Sequence, residues 1–258
     1  MLLQENKIKT SVGDLYSVHL TINKKAPTII FLHDSLGCTE LWRDFPKKLA
    51  TITSCNAIIY DRQGYGKSCN FSIDKRHQDY MEIEAKLLNE VLDFYNIENA
   101  ILFGHSDGGT ISLIFGALFP ERTKTIISIG AHIFVEEITI AGIANVISKY
   151  QSTDLKQKLT KYHGGKTDDM FKAWSDTWLS DHFRTWNITE ILKKIYCPVL
   201  AIQGENDEFG SKDQLFGIQQ NINASCEIHL IENTGHSPHL ESPGHILNLS
   251  HDFILNHF

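Results

Sequence analysis

Two kinds of segment alternate along the chain: short apolar runs rich in Ile, Val and Phe, and longer stretches in which apolar residues recur every three to four positions. The first pattern fits strands buried on both faces, and the second fits helices that cover them. Strands are expected at Thr28–Leu32, Ala57–Tyr60, Ala100–Phe103, Thr125–Ile129, Val199–Gln203 and Glu227–Ile231. Helices are expected at Glu40–Ala50, Gln78–Tyr95, Gly109–Phe119, Lys212–Gln220 and Ile246–Phe258, several following a Ser, Asp or Gly able to cap them. Near the start, Lys7–Thr10 and Leu15–Ile22 read as an antiparallel pair turning at Val12-Gly13-Asp14. The rhythm predicts an α/β fold: a mostly parallel central sheet with helices on both faces.

Between about Ala131 and Lys194 the rhythm stops. That stretch reads as consecutive helices broken at Gly164-Gly165 and carries Phe171, Trp174, Trp178, Phe183 and Trp186. It predicts a helical lid inserted between two strands of one domain, whose core is 1–130 and 195–258. The aromatics serve as the lid's own core or as the roof of a site. No internal repeat or low-complexity linker interrupts the 258 residues.

Charge and composition narrow the partners. With 24 Lys and Arg against 31 Asp and Glu, the formal charge is −7. Basic pairs such as Lys24-Lys25 and Lys193-Lys194 read as solvated surface, so neither nucleic acid nor an anionic membrane is the expected partner. No run approaches the roughly 18 to 20 apolar residues of a membrane span. Met1-Leu2-Leu3-Gln4-Glu5-Asn6-Lys7 lacks the features of a secretory signal, so a soluble, cytoplasmic protein is expected. Cys38, Cys55, Cys69, Cys197 and Cys226 are scattered without metal-ligand or disulfide spacing and read as reduced packing residues.

The chemistry concentrates at Gly104-His105-Ser106-Asp107-Gly108-Gly109, between an apolar strand and an apolar helix. Only a sharp strand-to-helix turn presents a serine at the sheet's carboxyl edge, and small flanking residues make room for it. The helix N-terminus behind the serine favours a developing oxyanion. A neutral serine needs a base, and the base needs an orienting acid. Asp207 follows Val199–Gln203, and His236 follows Glu227–Ile231, which puts both at the serine's edge of the sheet. Glu205 and Glu208 are rival acids; His239 and His245 are rival bases set in or beside the last helix.

The order Ser106, Asp207, His236, together with these motifs, resembles the α/β-hydrolase superfamily along the whole chain. His33-Asp34-Ser35-Leu36-Gly37 is similar to the family's His-Gly-x-x-Gly loop, and Asp61-Arg62-Gln63-Gly64-Tyr65-Gly66-Lys67-Ser68 to its Asp-x-Arg-Gly-x-Gly-x-Ser turn. Asp34 departs from the usual glycine and Gln63 from the usual arginine. By position in these motifs, the oxyanion donors are the backbone N–H groups of Ser35 and Asp107. The run Ser106-Asp107-Gly108-Gly109 resembles the valacyclovir-hydrolase-like branch, whose members act on small esters bearing an amino group.

The resemblance implies a serine hydrolase acting on a small carboxylic ester, with an aminoacyl ester, a thioester or a C–C bond beside a carbonyl as further candidates. Asp107, His132 and Trp178 are candidates for substrate contact; Asp107 serves either a substrate donor or a local pairing at the helix start. His33 and His105 are expected to hold loops. The reaction needs no metal or organic cofactor. The rival reading is a small-molecule sensor that keeps the triad but turns over very slowly.

Overall fold

A computed structural model describes residues 1–71 and 76–257. In chain order the elements are β1 (Leu2–Thr10), β2 (Gly13–Thr21), β3 (Thr28–Leu32), α1 (Phe45–Thr53), β4 (Asn56–Tyr60), α2 (Tyr80–Phe94), β5 (Ala100–His105) and α3 (Asp107–Leu118). Then follow β6 (Thr123–Ile129), α4 (Glu137–Ser152), α5 (Leu155–His163), α6 (Thr167–Trp178), α7 (Thr189–Leu192), β7 (Val199–Gly204), α8 (Lys212–Asn221), β8 (Cys226–Ile231), α9 (Pro238–Glu241) and α10 (Pro243–Asn256).

The eight strands form one sheet in the order β1-β2-β4-β3-β5-β6-β7-β8. β1 and β2 pair antiparallel, β2 meets β4 antiparallel, and the remaining pairs are parallel. The central strands are apolar throughout because both faces are covered. Along β3, Ile30 and Leu32 face α2, α3 and α8, while Ile29 and Phe31 face α1 and α10. Leu102 and Ile101 of β5, and Ala201 and Leu200 of β7, divide in the same way.

Several boundaries move for local reasons. The helix expected at Glu40–Ala50 is a 3-10 turn, Thr39–Trp42, followed by α1. Arg43 at φ 53° breaks the run, and Pro46 suits the first turn of a helix but not its interior. The helix expected from Gly109 starts at Asp107, directly behind Ser106. The hairpin turns on Ser11-Val12, since Thr10 pairs with Gly13 and Asp14 already lies in β2. The last helix starts earlier than expected, at Pro243, and its expected end at Phe258 lies outside the described residues.

Between β6 and β7, helices α4 to α7 replace the single crossover helix found elsewhere in the sheet. Gly164, at φ 58°, makes the break between α5 and α6. Ring pairs hold this segment together: Tyr150 stacks on Phe171 with centroids 3.8 Å apart, and Phe183 on Trp186 at 5.2 Å. Among the described residues no helix is long and apolar enough to cross a membrane.

Candidate active site

The turn from β5 into α3 sets Ser106 at φ 55° and ψ −120°, a conformation rarely adopted by residues with a side chain. Two glycines make the turn possible. A Cβ on Gly104 would lie 2.1 Å from the Gly108 carbonyl oxygen, and one on Gly108 would lie 2.0 Å from the Leu32 carbonyl oxygen. The Ser106 N–H donates to the Ile129 carbonyl at 2.8 Å, fixing the turn to the end of β6.

The β7 and β8 loops bring the expected acid and base together. His236 Nδ1 donates to both oxygens of Asp207, at 2.9 and 3.0 Å. Phe209 N–H and Gly210 N–H donate to Asp207 Oδ1 at 2.9 and 3.3 Å, holding the carboxylate in place. Burial pushes the Asp207 carboxyl up, but the charge and hydrogen bond of His236, aided by the Phe209 N–H, keep it below its usual pKa. Burial likewise opposes protonation of His236. The Asp207 carboxylate outweighs it, with smaller help from Glu208 and Asp34, and the imidazole pKa is raised. With Nδ1 committed to Asp207, Nε2 is the nitrogen left for proton transfer.

Ser106 and His236 line one cavity of about 180 Å³, although no Ser106–His236 hydrogen bond occurs among the described residues. Its walls include Asp34, Ser35, His132, Trp178 and Glu208. The segment between β6 and β7 supplies Thr139, Ile143, Val146, Trp174 and Trp178. Neither Ser35 N–H nor Asp107 N–H donates to another group among the described residues.

None of the rival acids and bases makes the Asp207–His236 side-chain contact. Glu205 accepts from Asn233 N–H and is exposed; Glu208 accepts from His236 N–H at 3.3 Å. His239 is buried against Trp42 and His105, with ring centroids at 4.8 and 4.5 Å, and His245 is exposed on α10. His33, His105 and His132 pair with loop backbone. His33 Nδ1 donates to the Asp34 carbonyl at 2.8 Å while Nε2 accepts from Arg62 N–H at 3.0 Å, a pairing that requires neutral imidazole. Burial and the Arg62 charge depress the His33 pKa in keeping with that pairing. His105 Nε2 donates to the His236 carbonyl at 2.8 Å. His132 Nε2 donates to the Phe209 carbonyl at 2.9 Å, and burial, then the neighbouring His236, lowers its pKa.

Two sequence departures acquire definite places. Gln63 Nε2 donates to the Val12 carbonyl at 3.2 Å, tying its turn to the β1–β2 hairpin. Asp34 accepts the Leu36 N–H at 3.2 Å and faces the cavity, so the loop after β3 keeps a compact turn around a carboxylate.

Asp107 lines the cavity, but its carboxylate is only 1% exposed and is already engaged. Tyr80 donates to Asp107 Oδ2 at 3.1 Å, Arg62 Nη2 lies 3.5 Å away, and Trp178 Nε1 donates to the Tyr80 hydroxyl at 3.0 Å. Arg62 also lies 3.9 Å from Glu84. Sequence reading missed Tyr80, Arg62 and Glu84. The helical spacing of Tyr80 and Glu84 marked only a covering helix, and Arg62 occupies an unspecified position of its turn. Among the described residues no three His, Cys, Asp or Glu side chains converge as a metal-binding group.

The α/β-hydrolase fold family model matches residues 27–187. A human protein named serine hydrolase BPHL is 26% identical over 221 residues, covering 82% of this chain and 72% of its own. A Comamonas testosteroni protein named 2-hydroxy-6-oxononadienedioate/2-hydroxy-6-oxononatrienedioate hydrolase is 22% identical over 267 residues, covering 93% and 92%. The crystal structure of carboxylesterase CesB from Bacillus subtilis superposes with a TM-score of 0.74 at 19% identity, covering 100% of this chain and 93% of that one. The serine elbow, the eight-stranded sheet and these matches together establish that the chain is a hydrolase belonging to the α/β-hydrolase fold family.

Proposed function

We propose that the protein cleaves a small carboxylic ester through an acyl-enzyme on Ser106, with His236 as general base and Asp207 as its orienting acid. The observation that carries this reading is the two-oxygen contact of Asp207 with His236 Nδ1, on the cavity where Ser106 stands at φ 55°. His236 Nε2 takes the Ser106 proton as Oγ attacks the carbonyl carbon. The resulting oxyanion is received by the N–H groups of Ser35 and Asp107, and the dipole of α3 reinforces them. His236 returns the proton to the leaving alcohol; water, deprotonated by the same imidazole, then releases the acid.

The helices between β6 and β7 act as a lid, with Trp174, Trp178 and Ile143 shaping an apolar wall suited to a small acyl group. His132 completes that wall beside Trp178, with ring centroids 5.2 Å apart. The charges lining the cavity among the described residues are the carboxylates Asp34, Asp107 and Glu208, with no Lys or Arg. A dienoate of the kind named for the Comamonas relative is anionic, and this lining disfavours it relative to a neutral or amino-bearing ester. The relatives are named hydrolases and lend the sensor reading no support. The test is release of p-nitrophenol from short acyl esters by the wild-type protein and Ser106→Ala in parallel. Turnover should be sustained in the first and absent in the second; equal rates would refute the reading.

A further inference from the structure

We infer that His163, the last residue of α5, is a positioning residue that couples seating of the lid to the loop carrying the Ser35 N–H, a role that rests on the esterase reading of Ser106. That loop, residues 34–37, is held from two directions. On the sheet side the Asp34 carbonyl accepts from His33 Nδ1 at 2.8 Å and from Arg62 Nη2 at 3.0 Å. From the lid, His163 Nε2 donates to the Leu36 carbonyl at 3.1 Å. Ser35 lies between these two anchored carbonyls, and Ser35 and Leu36 both line the cavity. The second anchor spans 127 positions of the chain, so it exists only while α5 is seated.

The other ring nitrogen makes the anchor stiff. His163 Nδ1 accepts the Gly66 N–H at 3.0 Å, and Gly66 belongs to a turn with little freedom. Asp61 accepts the Lys67 N–H at 2.7 Å and the Thr39 N–H at 2.6 Å, and a Cβ on Gly66 would lie 2.0 Å from Asp61 Oδ2. The imidazole is 2% exposed and packs edge-on against Tyr65, with ring centroids 6.1 Å apart. It is a strut from the rigid turn to the loop. Lys166, beyond the Gly164 break, donates to the Tyr65 and Ser68 carbonyls. It fastens the lid to the same turn but makes no bond to residues 34–37 among the described residues.

This pattern admits one protonation state. Gly66 N–H needs a lone pair on Nδ1 and the Leu36 carbonyl needs a proton on Nε2, which only the neutral ring supplies together. Asp61 and Asp34 favour a second proton, Lys166 opposes it, and His33 and Tyr65 also face the ring. Burial outweighs the two carboxylates and holds the His163 pKa below its ordinary value. Protonation places a hydrogen on Nδ1 where the Gly66 N–H points, and the strut is lost.

The experiment measures kcat and KM on p-nitrophenyl butyrate for variants that keep different halves of the strut. His163→Gln retains an amide long enough to donate to the Leu36 carbonyl; His163→Asn offers Gly66 an acceptor but does not reach Leu36. His163→Asn should lower kcat about tenfold or more with KM changed less than about threefold, and His163→Gln should recover most of the loss. Lys166→Ala should lower Tm yet keep kcat within about threefold. In wild type the acid limb of log kcat/KM should steepen from a slope of one toward two below about pH 6.5, because His236 and His163 must both be neutral, and His163→Gln should return it to one. Equal kcat in the Asn and Gln variants, or a loss in Lys166→Ala as large as in His163→Asn, would reduce His163 to general packing and overturn the inference. A wild-type slope that stays at one until the protein unfolds would do the same.

Hydrogen exchange read by mass spectrometry separates this claim from the esterase reading, since it needs no turnover. The peptide spanning residues 34–37 should exchange about tenfold faster in His163→Asn than in wild type or His163→Gln. That result supports the strut even if no ester is cleaved. Unchanged exchange refutes it whatever the turnover.

Discussion

Replacing Tyr80 with Phe removes one hydroxyl and disconnects three elements. That hydroxyl accepts from Trp178 Nε1 at 3.0 Å, donates to Asp107 Oδ2 at 3.1 Å, and belongs to a side chain only 3% exposed. In Tyr80→Phe the indole N–H loses its acceptor where water cannot replace it, at about 1–3 kcal/mol for a buried unsatisfied donor. Asp107 also loses the Tyr80 donor and keeps Arg62 at 3.5 Å, at about 1.5–3 kcal/mol for a hydrogen bond to a charged group. Because the two losses share one atom they do not add fully, and the expected destabilisation is about 2–4 kcal/mol. Urea unfolding should show a lower midpoint with an unchanged slope.

Trp178→Phe keeps a ring against Phe183 and Trp186 but removes the N–H. In a double-mutant cycle with Tyr80→Phe the coupling should reach about 1 kcal/mol or more. Asp107 also carries one of the proposed oxyanion N–H groups, so kcat should fall more than KM rises in Tyr80→Phe. A Tyr80→Phe protein within about 0.5 kcal/mol of wild type, together with an additive cycle, would refute the reasoning.

Three further predictions use other parts of the structure. Since the Asp207 charge, followed by that of Glu208, raises the His236 pKa against burial, the acid limb of kcat/KM should lie above the ordinary imidazole value of about 6.5, and Glu208→Gln should move it to lower pH; a limb that does not move would show that Glu208 is not felt at the base. Gly108→Ala should destabilise the fold by about 3 kcal/mol or abolish it, because its Cβ meets Leu32 backbone, whereas Gly165→Ala, with nothing within 4 Å, should stay within about 0.5 kcal/mol in the same unfolding assay. Burial lowers the pKa values of His33, His132 and His239, so below about pH 6.5 the unfolded chain binds protons that the folded chain refuses; Tm should fall with decreasing pH there, each group contributing up to about 1.4 kcal/mol per pH unit, and a flat profile would contradict their burial as neutral rings.

Much of this was legible in sequence, for identifiable reasons. Runs such as Thr28–Leu32 and Val199–Gly204 are apolar on both faces, and only a covered parallel sheet uses strands of that kind. The elbow was legible because Gly104 and Gly108 have no tolerated alternative where backbone passes within 2.1 Å of a would-be Cβ. Asp207 and His236 could be placed because strand-end loops gather at one edge of a parallel sheet. What escaped depends on side chains far apart in the chain. Arg62, Glu84 and Asp107 meet only after folding, so a charge pattern read locally could not show that Asp107 is matched. The start of α1 escaped because the apolar spacing of Leu41, Trp42 and Phe45 continues across a break made by backbone dihedrals at Arg43.

In the proposed mechanism Ser106 is the attacking group of a triad with His236 and Asp207. Treatment with a fluorophosphonate, followed by mass spectrometry of the digested protein, tests it most directly. Phosphonylation of the peptide bearing Ser106 should be stoichiometric, with no labelling of Ser106→Ala and strongly slowed labelling of His236→Ala. Modification at another residue, or labelling of the wild-type protein no faster than of His236→Ala, would contradict it.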